Sequence, residues 1–279
     1  MRRRLKLHLK RITIVVLLVL SVCAFYHGLI VRKYIFKTTK LNEGTSIRFV
    51  ALADLHNHIY GNNQQELINK IKELRPDIIV MVGDMIDDEV PTNGVDLLLK
   101  GFQDVAPIYY VTGNHEYWSG YIQDIKRYME SYHVTVLEQA YNRIEVKGSQ
   151  LILAGIDDIA GFDNETDWAL EAKVAFKPLW KEEGYKILLS HRPEQMTLYK
   201  ALPFDLIIAG HTHGGIIRIP YLCNGFVAAD QKLFPKYVGV LYREEGLNLV
   251  VSRGLSAEIF PPRLFNPPEI TVIDLIGEE

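Results

Sequence analysis

Cysteine is scarce in this chain: 279 residues contain two, Cys23 and Cys223. Cys23 lies in an apolar run near the N-terminus, and Cys223 lies in a loop far along the chain. The sequence therefore implies no disulfide framework. Because two distant cysteines are compatible with either redox environment, their number does not identify the compartment.

A strong excess of either charge is also absent, since the formal net charge is -3. A general nucleic-acid surface, which needs positive charge, is therefore not indicated. Internal repeats and low-complexity tracts are missing as well. The length fits one sizeable globular domain with an appendage, and the sequence leaves the oligomeric state open.

Positive charge is concentrated at the N-terminus. Residues 1–11 are strongly basic and precede an uncharged stretch over residues 12–31, about the 20 residues that a membrane-spanning helix needs. Positive charge before a span favours a cytoplasmic N-terminus. We therefore predict a basic cytoplasmic segment (1–11), a single-pass transmembrane signal anchor (12–31), a linker (32–46) and an extracytoplasmic domain (47–279).

Three other interpretations of this N-terminal stretch remain open. It could be a cleaved signal peptide, although no small-x-small cleavage site is obvious. The sequence Leu-Ser-Val-Cys at residues 20–23 resembles a lipoprotein signal, and the arginines at residues 2–4 resemble a twin-arginine signal. A buried soluble helix is disfavoured because the stretch has no polar face.

Short apolar strands alternate with helices from residue 47 onward. Strands are predicted at 47–53, 77–82 and 107–112, followed by helices at 63–74, 95–102 and 116–132. The second half is richer in strands, with a hairpin at 143–146 and 151–154, a helix at 168–176, and strands at 186–190, 205–209, 238–242, 247–252 and 270–275. This alternation predicts an α/β fold whose helices cover buried sheets.

Side chains that can bind metal ions follow five of these strands. They are Asp54, His56, Asp84, Asn114, His115, His191, His211 and His213. Because ligand sites in α/β sheets lie beyond the carboxyl ends of strands, we expect these side chains to converge if the strands are neighbours. Carboxylate, imidazole and amide oxygen are suitable ligands for Mn, Fe or Zn, and no thiolate is among them.

Each of these motifs alone has an ordinary explanation. An Asp-x-His pair is common on surfaces, Gly-Asp and Gly-Asn are typical turn sequences, and a lone histidine at a strand end is more often structural. Five such groups in this order, each at a strand end, are difficult to attribute to chance. Glycine directly before Asp84, Asn114 and His211 also permits close approach of the backbone.

The order of the motifs resembles that of the calcineurin-like metallophosphoesterase family: Asp-x-His, Gly-Asp, Gly-Asn-His-Glu, His and Gly-His-x-His. The match covers roughly residues 47–275. Residues 210–220, 251–255 and 267–270 are similar to the bacterial subgroup of YkuE-like and YaeI-like membrane-associated phosphoesterases. The resemblance implies a four-layer α/β/β/α sandwich with a centre for two divalent metal ions.

The resemblance also implies a role for each ligand. It assigns the first metal ion to Asp54, His56, Asp84 and His213. It assigns the second to Asp84, Asn114, His191 and His211, so that Asp84 bridges both ions. A hydroxide bridging two cations would attack the phosphate ester, and His115 would stabilise the transition state or protonate the leaving oxygen.

Four further polar residues have competing explanations. His58 would face the same side as His56 in an extended chain and could contact substrate, but an exposed loop histidine is the simpler interpretation. The guanidinium groups of Arg192 and Arg218 suit phosphate geometry, although surface ion pairs would explain both. Glu116 is expected to cap the following helix.

The sequence thus predicts a metal-dependent hydrolase of phosphomonoesters or phosphodiesters, acting at the cell envelope on lipid-linked or wall-related substrates. A nucleotide or cyclic-nucleotide phosphodiesterase is the alternative among enzymes. The alternative of another class is a non-catalytic metal-binding scaffold. We disfavour the scaffold because no ligand position of the family is missing from this chain.

Overall fold

Two six-stranded sheets contain most of the strands in the computed structural model, which describes residues 2–89, 91–228, 231–257 and 261–279. The first sheet has the spatial order β1 (Ile30–Thr38), β14 (Glu269–Gly277), β2 (Ser46–Leu52), β3 (Ile78–Val82), β4 (Ile108–Val111) and β5 (Thr135–Val136). The second has the order β12 (Leu241–Glu244), β13 (Leu247–Val251), β9 (Leu206–Ala209), β8 (Tyr185–Leu189), β7 (Ser149–Gly155) and β6 (Ala140–Val146). Two short strands, β10 (Val227–Ala228) and β11 (Lys232–Leu233), pair with each other antiparallel.

Both sheets are mixed, and this decides where their functional edge lies. In the first sheet β2, β3 and β4 run parallel, while β14 is antiparallel to β2. In the second sheet β7, β8, β9 and β13 run parallel, and each outer strand is antiparallel to its neighbour. The carboxyl ends of the central strands therefore lie along one edge of each sheet.

The described helices are α1 (Arg2–Ala24), α2 (Gln65–Leu74), α3 (Asn93–Phe102), α4 (Asn114–Trp118), α5 (Ile122–Ser131), α6 (Glu165–Phe176) and α7 (Met196–Lys200). One predicted helix, over residues 116–132, is two helices. Gly120 separates them in the left-handed region (φ 76°), a conformation that ends helices. The apolar spacing is continuous across this break, which is why the sequence suggested one helix.

Alternating side chains divide the core into three parts. Ile47, Phe49 and Ala51 of β2 pack in a cluster that also contains residues from the second sheet, such as Ile187. Val50 of β2 points the other way, into a cluster with α2, α3 and α5. A third cluster packs α6 and α7 on the far face of the second sheet. The α/β prediction is confirmed, and the layers follow the order helix, sheet, sheet, helix.

The N-terminal region differs from the predicted transmembrane helix over residues 12–31. Helix α1 ends at Ala24, and residues 30 and 31 already belong to β1, where they pair with Glu269 and Ile270. In the part of the chain that the structure describes, no helix is both long enough and apolar enough to cross a membrane. The prediction failed at its end because the first residues of the edge strand β1 are apolar and continue the apolar run of the helix.

Strand β1 also occupies much of the predicted linker over residues 32–46. It runs parallel to β14 along its full length. Its basic side chains have partners: Arg32 lies 2.9 Å from Glu269, and Lys33 lies 2.5 Å from Asp274. Phe36 is buried on the same face as Arg32, and Lys33 and Lys37 lie on the opposite, exposed face. Charged outward residues are typical of an edge strand, and they made this segment resemble a linker.

Two truncations test whether β1 is an integral part of the domain. A chain that starts at residue 29 keeps β1, whereas a chain that starts at residue 41 loses buried Phe36 and exposes β14. Removing a buried Phe side chain costs about 3 kcal/mol, which corresponds to about 6 °C or more in Tm for a domain of this size. Thermal denaturation followed by circular dichroism measures the difference, and equal Tm values would show that β1 is dispensable.

Candidate metal centre

The loops that follow β2, β3, β4, β8 and β9 meet at one edge of the sandwich. Backbone hydrogen bonds connect loops that follow strands of the same sheet. The N–H of Asp54 donates to Gly83 O (3.1 Å) in the first sheet, and the N–H of Gly210 donates to His191 O (3.1 Å) in the second. Hydrogen bonds also connect the two sheets here: the N–H of His211 donates to Asp54 Oδ1 (2.8 Å), and His191 Nδ1 lies 2.9 Å from Val82 O. The convergence expected from strand ends is therefore present across both sheets.

Four overlapping groups of potential ligands lie at this edge among the described residues; two consist only of predicted metal ligands, and the other two contain His115. Asp54, His56 and His213 offer ligand atoms within 4.8 Å of one another. Asp84, His191 and His211 form a second group of the same size.

Asp84 belongs to the second of these groups and also lies close to the first. Its Oδ2 is 3.0 Å from His191 Nε2 in one group and 3.8 Å from His56 Nε2 in the other. Asn114 is the first residue of α4, and the backbone N–H of the next residue, His115, donates to Asp84 Oδ1 (3.0 Å). The predicted ligand side chains therefore lie at one edge of the sandwich, with the Asp84 carboxylate close to a histidine of each group.

Three buried atoms in this cluster have no hydrogen-bond partner within the described residues: Asp54 Oδ2, His56 Nε2 and Asn114 Oδ1. A buried polar atom without a partner costs free energy. A cation would satisfy all three, since each atom carries a lone pair. The donor set of carboxylate, imidazole and amide groups therefore fits divalent ions of the Mn, Fe or Zn type.

Backbone strain is concentrated in the same residues. Five predicted ligands have a positive φ in the left-handed region: Asp54 (51°), His56 (47°), Asp84 (50°), His211 (69°) and His213 (45°). This region is uncommon for residues other than glycine and costs free energy. Its repetition at five ligands indicates that the surrounding loops are shaped to aim these side chains at one place.

Glycine is required at two positions beside the cluster. A Cβ on Gly83 would lie 2.4 Å from His191 Nδ1, and a Cβ on Gly113 would lie 2.2 Å from Asp84 Oδ1. Both distances are far shorter than any van der Waals contact. The close approach inferred from the sequence therefore has a steric basis.

Glu116 fixes the loop that carries Asp84. Its buried carboxylate accepts hydrogen bonds from the backbone N–H of Gly113 (2.8 Å), as expected for a cap of α4. It also accepts from Asp84 (3.0 Å), Met85 (2.8 Å) and Ile86 (3.0 Å). The sequence indicated the cap, but the loop contacts join segments distant along the chain and carry no local signal.

Two carboxylates that the sequence analysis did not single out contact histidines at this edge. Asp87 Oδ2 lies 2.9 Å from His56 Nδ1, and Asp88 Oδ1 lies 2.6 Å from His115 Nδ1. A hydrogen bond at Nδ1 fixes the ring and leaves Nε2 for a ligand or substrate. The signal that could have revealed them is the position of this acidic pair, three and four residues after Asp84.

Buried arginines hold two of the histidines. Arg192 forms a bidentate pair with Asp158 (2.7 and 2.9 Å) and places Nη1 3.0 Å from His211 Nε2. Arg263 contacts both the carbonyl of His213 (3.2 Å) and its Nδ1 (3.3 Å). Arg192 is thus buried against a ligand, and neither a surface ion pair nor an open substrate contact describes it.

His58 and Arg218 lie elsewhere. The positive φ of His56 and of Asn57 (57°) turns the chain, so the extended geometry assumed for His58 does not exist, and its ring packs edge-on against Tyr60 at 4.7 Å. Arg218 donates to Gly214 O (3.0 Å) and lines a separate cavity with Arg253. The structure does not bring either side chain into the ligand groups.

Burial and neighbouring charges shift the pKa values of the acidic and histidine side chains in this cluster. Burial raises the pKa of Asp54 to about 6. Burial also opposes the charge of His191, but the adjacent Asp84 carboxylate outweighs it and raises the pKa of His191 to about 10. Burial likewise opposes ionisation of Asp84, yet His191 holds its pKa well below the usual range. A metal ion binding here must displace protons, so affinity should fall at low pH.

Comparison with known proteins supports the motif assignment. The profile of the family described as calcineurin-like phosphoesterase matches residues 47–215. A metallophosphoesterase of Campylobacter jejuni is 31% identical, and the match covers 85% of this chain and 61% of that protein. The chain therefore spans less than two thirds of the length of this relative.

Two bacterial relatives confirm the subgroup resemblance. Phosphodiesterase YaeI of Escherichia coli is 26% identical over 73% of this chain and 72% of its own length. Metallophosphoesterase YkuE of Bacillus subtilis is 26% identical over 86% of this chain and 79% of its own length. Among solved structures, NAD nucleotidase of Haemophilus influenzae has a similar fold, with a TM-score of 0.55 at 15% identity, covering 77% of this chain and 46% of that chain.

Metal content of the purified chain tests the centre. We expect two divalent ions per chain, and Asp84→Asn should bind at most one, because the carboxylate between the groups is lost. An ion at 100 times its Kd stabilises the fold by about 2.7 kcal/mol, so adding Mn²⁺ to chelator-treated protein should raise Tm. Elemental analysis and thermal denaturation are the measurements.

Asp163→Asn, at an exposed position, is the matched control for the loss of one carboxylate. It should keep both ions and the shift in Tm. Uptake of two ions by Asp84→Asn would contradict the assignment of the bridging position.

Proposed function

Since the chain belongs to the calcineurin-like phosphoesterase family, we propose that it hydrolyses phosphate esters with two divalent ions held on either side of Asp84. The observation that carries this proposal is the cluster of ligand groups around Asp84, with three buried ligand atoms that have no partner among the described residues. A structural role alone would need neither these unpartnered atoms nor the strained backbone at five of the predicted ligands.

The two ions share Asp84 and otherwise have separate ligands in this proposal. The first would be held by Asp54, His56, Asp84 and His213. The second would be held by Asp84, Asn114, His191 and His211. When bound, such ions activate water for attack and offset the charge of the phosphoryl oxygens.

The protein supplies rigidity around these ligands. Glu116 fixes the loop that carries Asp84, Asp87 orients His56, and Arg192 supports His211. Each contact limits the movement of a ligand whose backbone is already strained. The ligands are therefore positioned before a substrate arrives, which reduces the reorganisation needed in the transition state.

His115 is suited to proton transfer at the substrate. It borders the ligands, with its ring centroid 4.5 Å from that of His56 and its side chain 25% exposed. The contact between Asp88 and Nδ1 holds the ring in place. Nε2 is thereby left to give a proton to the leaving oxygen of the ester.

Replacing His115 tests this role. His115→Gln should lower kcat by about 100-fold or more, as expected for loss of a general acid, and should keep the metal content of the parent chain. Initial rates on bis(p-nitrophenyl) phosphate with Mn²⁺, Zn²⁺ or Fe²⁺ measure the effect. Exposed His133→Gln is the control and should retain full activity, whereas an unchanged rate in His115→Gln would rule out proton transfer by His115.

We also propose that the substrate is an ester at the cell envelope, either lipid-linked or related to the wall. Two observations support this location: basic residues precede an apolar run, and side chains of α1 such as Leu18 and Val22 are exposed. Exposed apolar side chains on a helix are costly in water. Contact with lipid would remove that cost.

A substrate panel separates this proposal from the nucleotide alternative. We expect the full chain to hydrolyse phosphate esters of lipids in vesicles with a kcat/KM at least about tenfold above that for soluble nucleotides and cyclic nucleotides, a difference of about 1.4 kcal/mol. The Asp84→Asn chain is the inactive control on every substrate. A preference for soluble nucleotides would contradict the envelope assignment and leave the hydrolytic one intact.

A further inference from the structure

A cavity of about 440 Å³, separate from the candidate metal centre, lies beside Arg218, Arg253, Phe265 and the loop of residues 219–224. None of the seven predicted metal ligands, all within the described residues, lines it. It is nevertheless close in the chain to the metal centre, because Arg218 contacts the carbonyl of Gly214, the residue after His213. This cavity is not used by the hydrolytic mechanism proposed above.

Arg218 is a buried cation whose hydrogen-bond acceptors are neutral. Its Nη1 donates to Gly214 O (3.0 Å), and its Nη2 donates to Asn224 Oδ1. Among the described residues, no carboxylate forms an ion pair with it. Burying a guanidinium without a counter-charge is expensive, so this position favours an anion.

The arginines around Arg218 outnumber the carboxylates. Arg253 and Arg32 share one buried carboxylate, that of Glu269, at 3.4 and 2.9 Å. Arg218 and Arg253 are close together, since a Cβ on Gly239 (φ 43°) would lie 2.9 Å from Arg218 Nη1 and 2.7 Å from Arg253 Cγ. Burial and the neighbouring Arg253 lower the pKa of Arg218 to about 10, and the Glu269 carboxylate opposes this shift only in part.

The rim of the cavity is apolar and faces solvent. Leu222 is 85% exposed, and Ile219 and Tyr221 beside it are also exposed. The cavity also adjoins the N-terminal helix: Phe265, which lines it, donates its backbone N–H to the carbonyl of Ala24 at the end of α1 (2.8 Å). A buried cationic interior, an apolar rim and an adjacent helix with exposed apolar side chains favour a ligand that is itself both anionic and apolar.

We propose that this cavity binds the phosphate head group of an anionic lipid. Arg218 and Arg253 contact the phosphate oxygens, which suit the planar guanidinium fork. The side chains of Ile219, Tyr221 and Leu222 contact the glycerol backbone and the first part of the acyl chains. The site is separate from the metal centre and does not require that the chain be a hydrolase.

Binding of a short-chain lipid to the full chain tests this site. The chain is first treated with a chelator, so that phosphate does not bind through metal ions. Dihexanoylphosphatidic acid, dihexanoylphosphatidylcholine and inorganic phosphate are then titrated by calorimetry. We expect one molecule of the phosphatidic acid per chain, with an affinity at least about tenfold above that of the other two probes.

Arg218→Gln should weaken binding of the phosphatidic acid by about tenfold or more, as expected for a lost charged hydrogen bond. Arg243→Gln, on an exposed residue of β12, is the control and should bind like the parent chain. Because Arg218 is buried and its replacement could disturb folding, Leu222→Ser at the exposed rim is the second variant. It should weaken phosphatidic acid binding without changing the Tm.

Three outcomes would overturn the proposal. Inorganic phosphate binding as tightly as phosphatidic acid would identify a site for free anions. Equal binding of phosphatidylcholine would identify an apolar site without charge selection. Unchanged phosphatidic acid affinity in folded Arg218→Gln, or in Leu222→Ser, would place the lipid elsewhere.

Discussion

The carboxylate of Asp84 is the interaction on which the rest of this structure depends. It is buried, it follows a strand of the first sheet, and it meets His191 from the second sheet at 3.0 Å. The sandwich is therefore joined at this edge by charge as well as by apolar packing. A buried charge is stable only with strong partners, and here the partners come from loops that are far apart in sequence. We expect loss of this carboxylate to weaken the contact between the two sheets as well as the binding of metal ions.

The loops around Asp84 adopt unfavourable backbone conformations that position the predicted ligand side chains. Left-handed backbone at Asp54, His56 and His213 and the steric need for Gly83 and Gly113 are unfavourable in isolation. The two hydrophobic faces of each sheet provide the compensating stability, since residues such as Phe49, Val80 and Leu189 are fully buried. Packing of the strands thus stabilises the fold, and the strained loops at their ends reduce that stability while they hold the predicted ligands in a defined arrangement.

The sequence predicted the central strands and the side chains that gather at their carboxyl ends, because both have local signatures. Apolar runs end at Asp54, Asp84 and His191, and parallel neighbours must bring such ends together. The roles of Arg263 and Asp158 had no local signature, since their partners lie in other segments of the chain. The N-terminal boundary was wrong for a different reason. A helix with exposed apolar residues and a partly buried strand follow one another, and hydropathy alone does not separate them.

The position of β14 has a consequence for how the protein is made. This strand lies between β1 and β2, although almost the whole domain separates it from them in the chain. On the ribosome, β1 and β2 emerge early and cannot pair directly with each other in the native sheet. Their edges stay open until residues 269–277 have left the exit tunnel. Synthesis at about 5–20 residues per second leaves the backbone N–H and C=O groups of these edges unpaired for roughly ten seconds or longer. Chaperones would be most needed during this period.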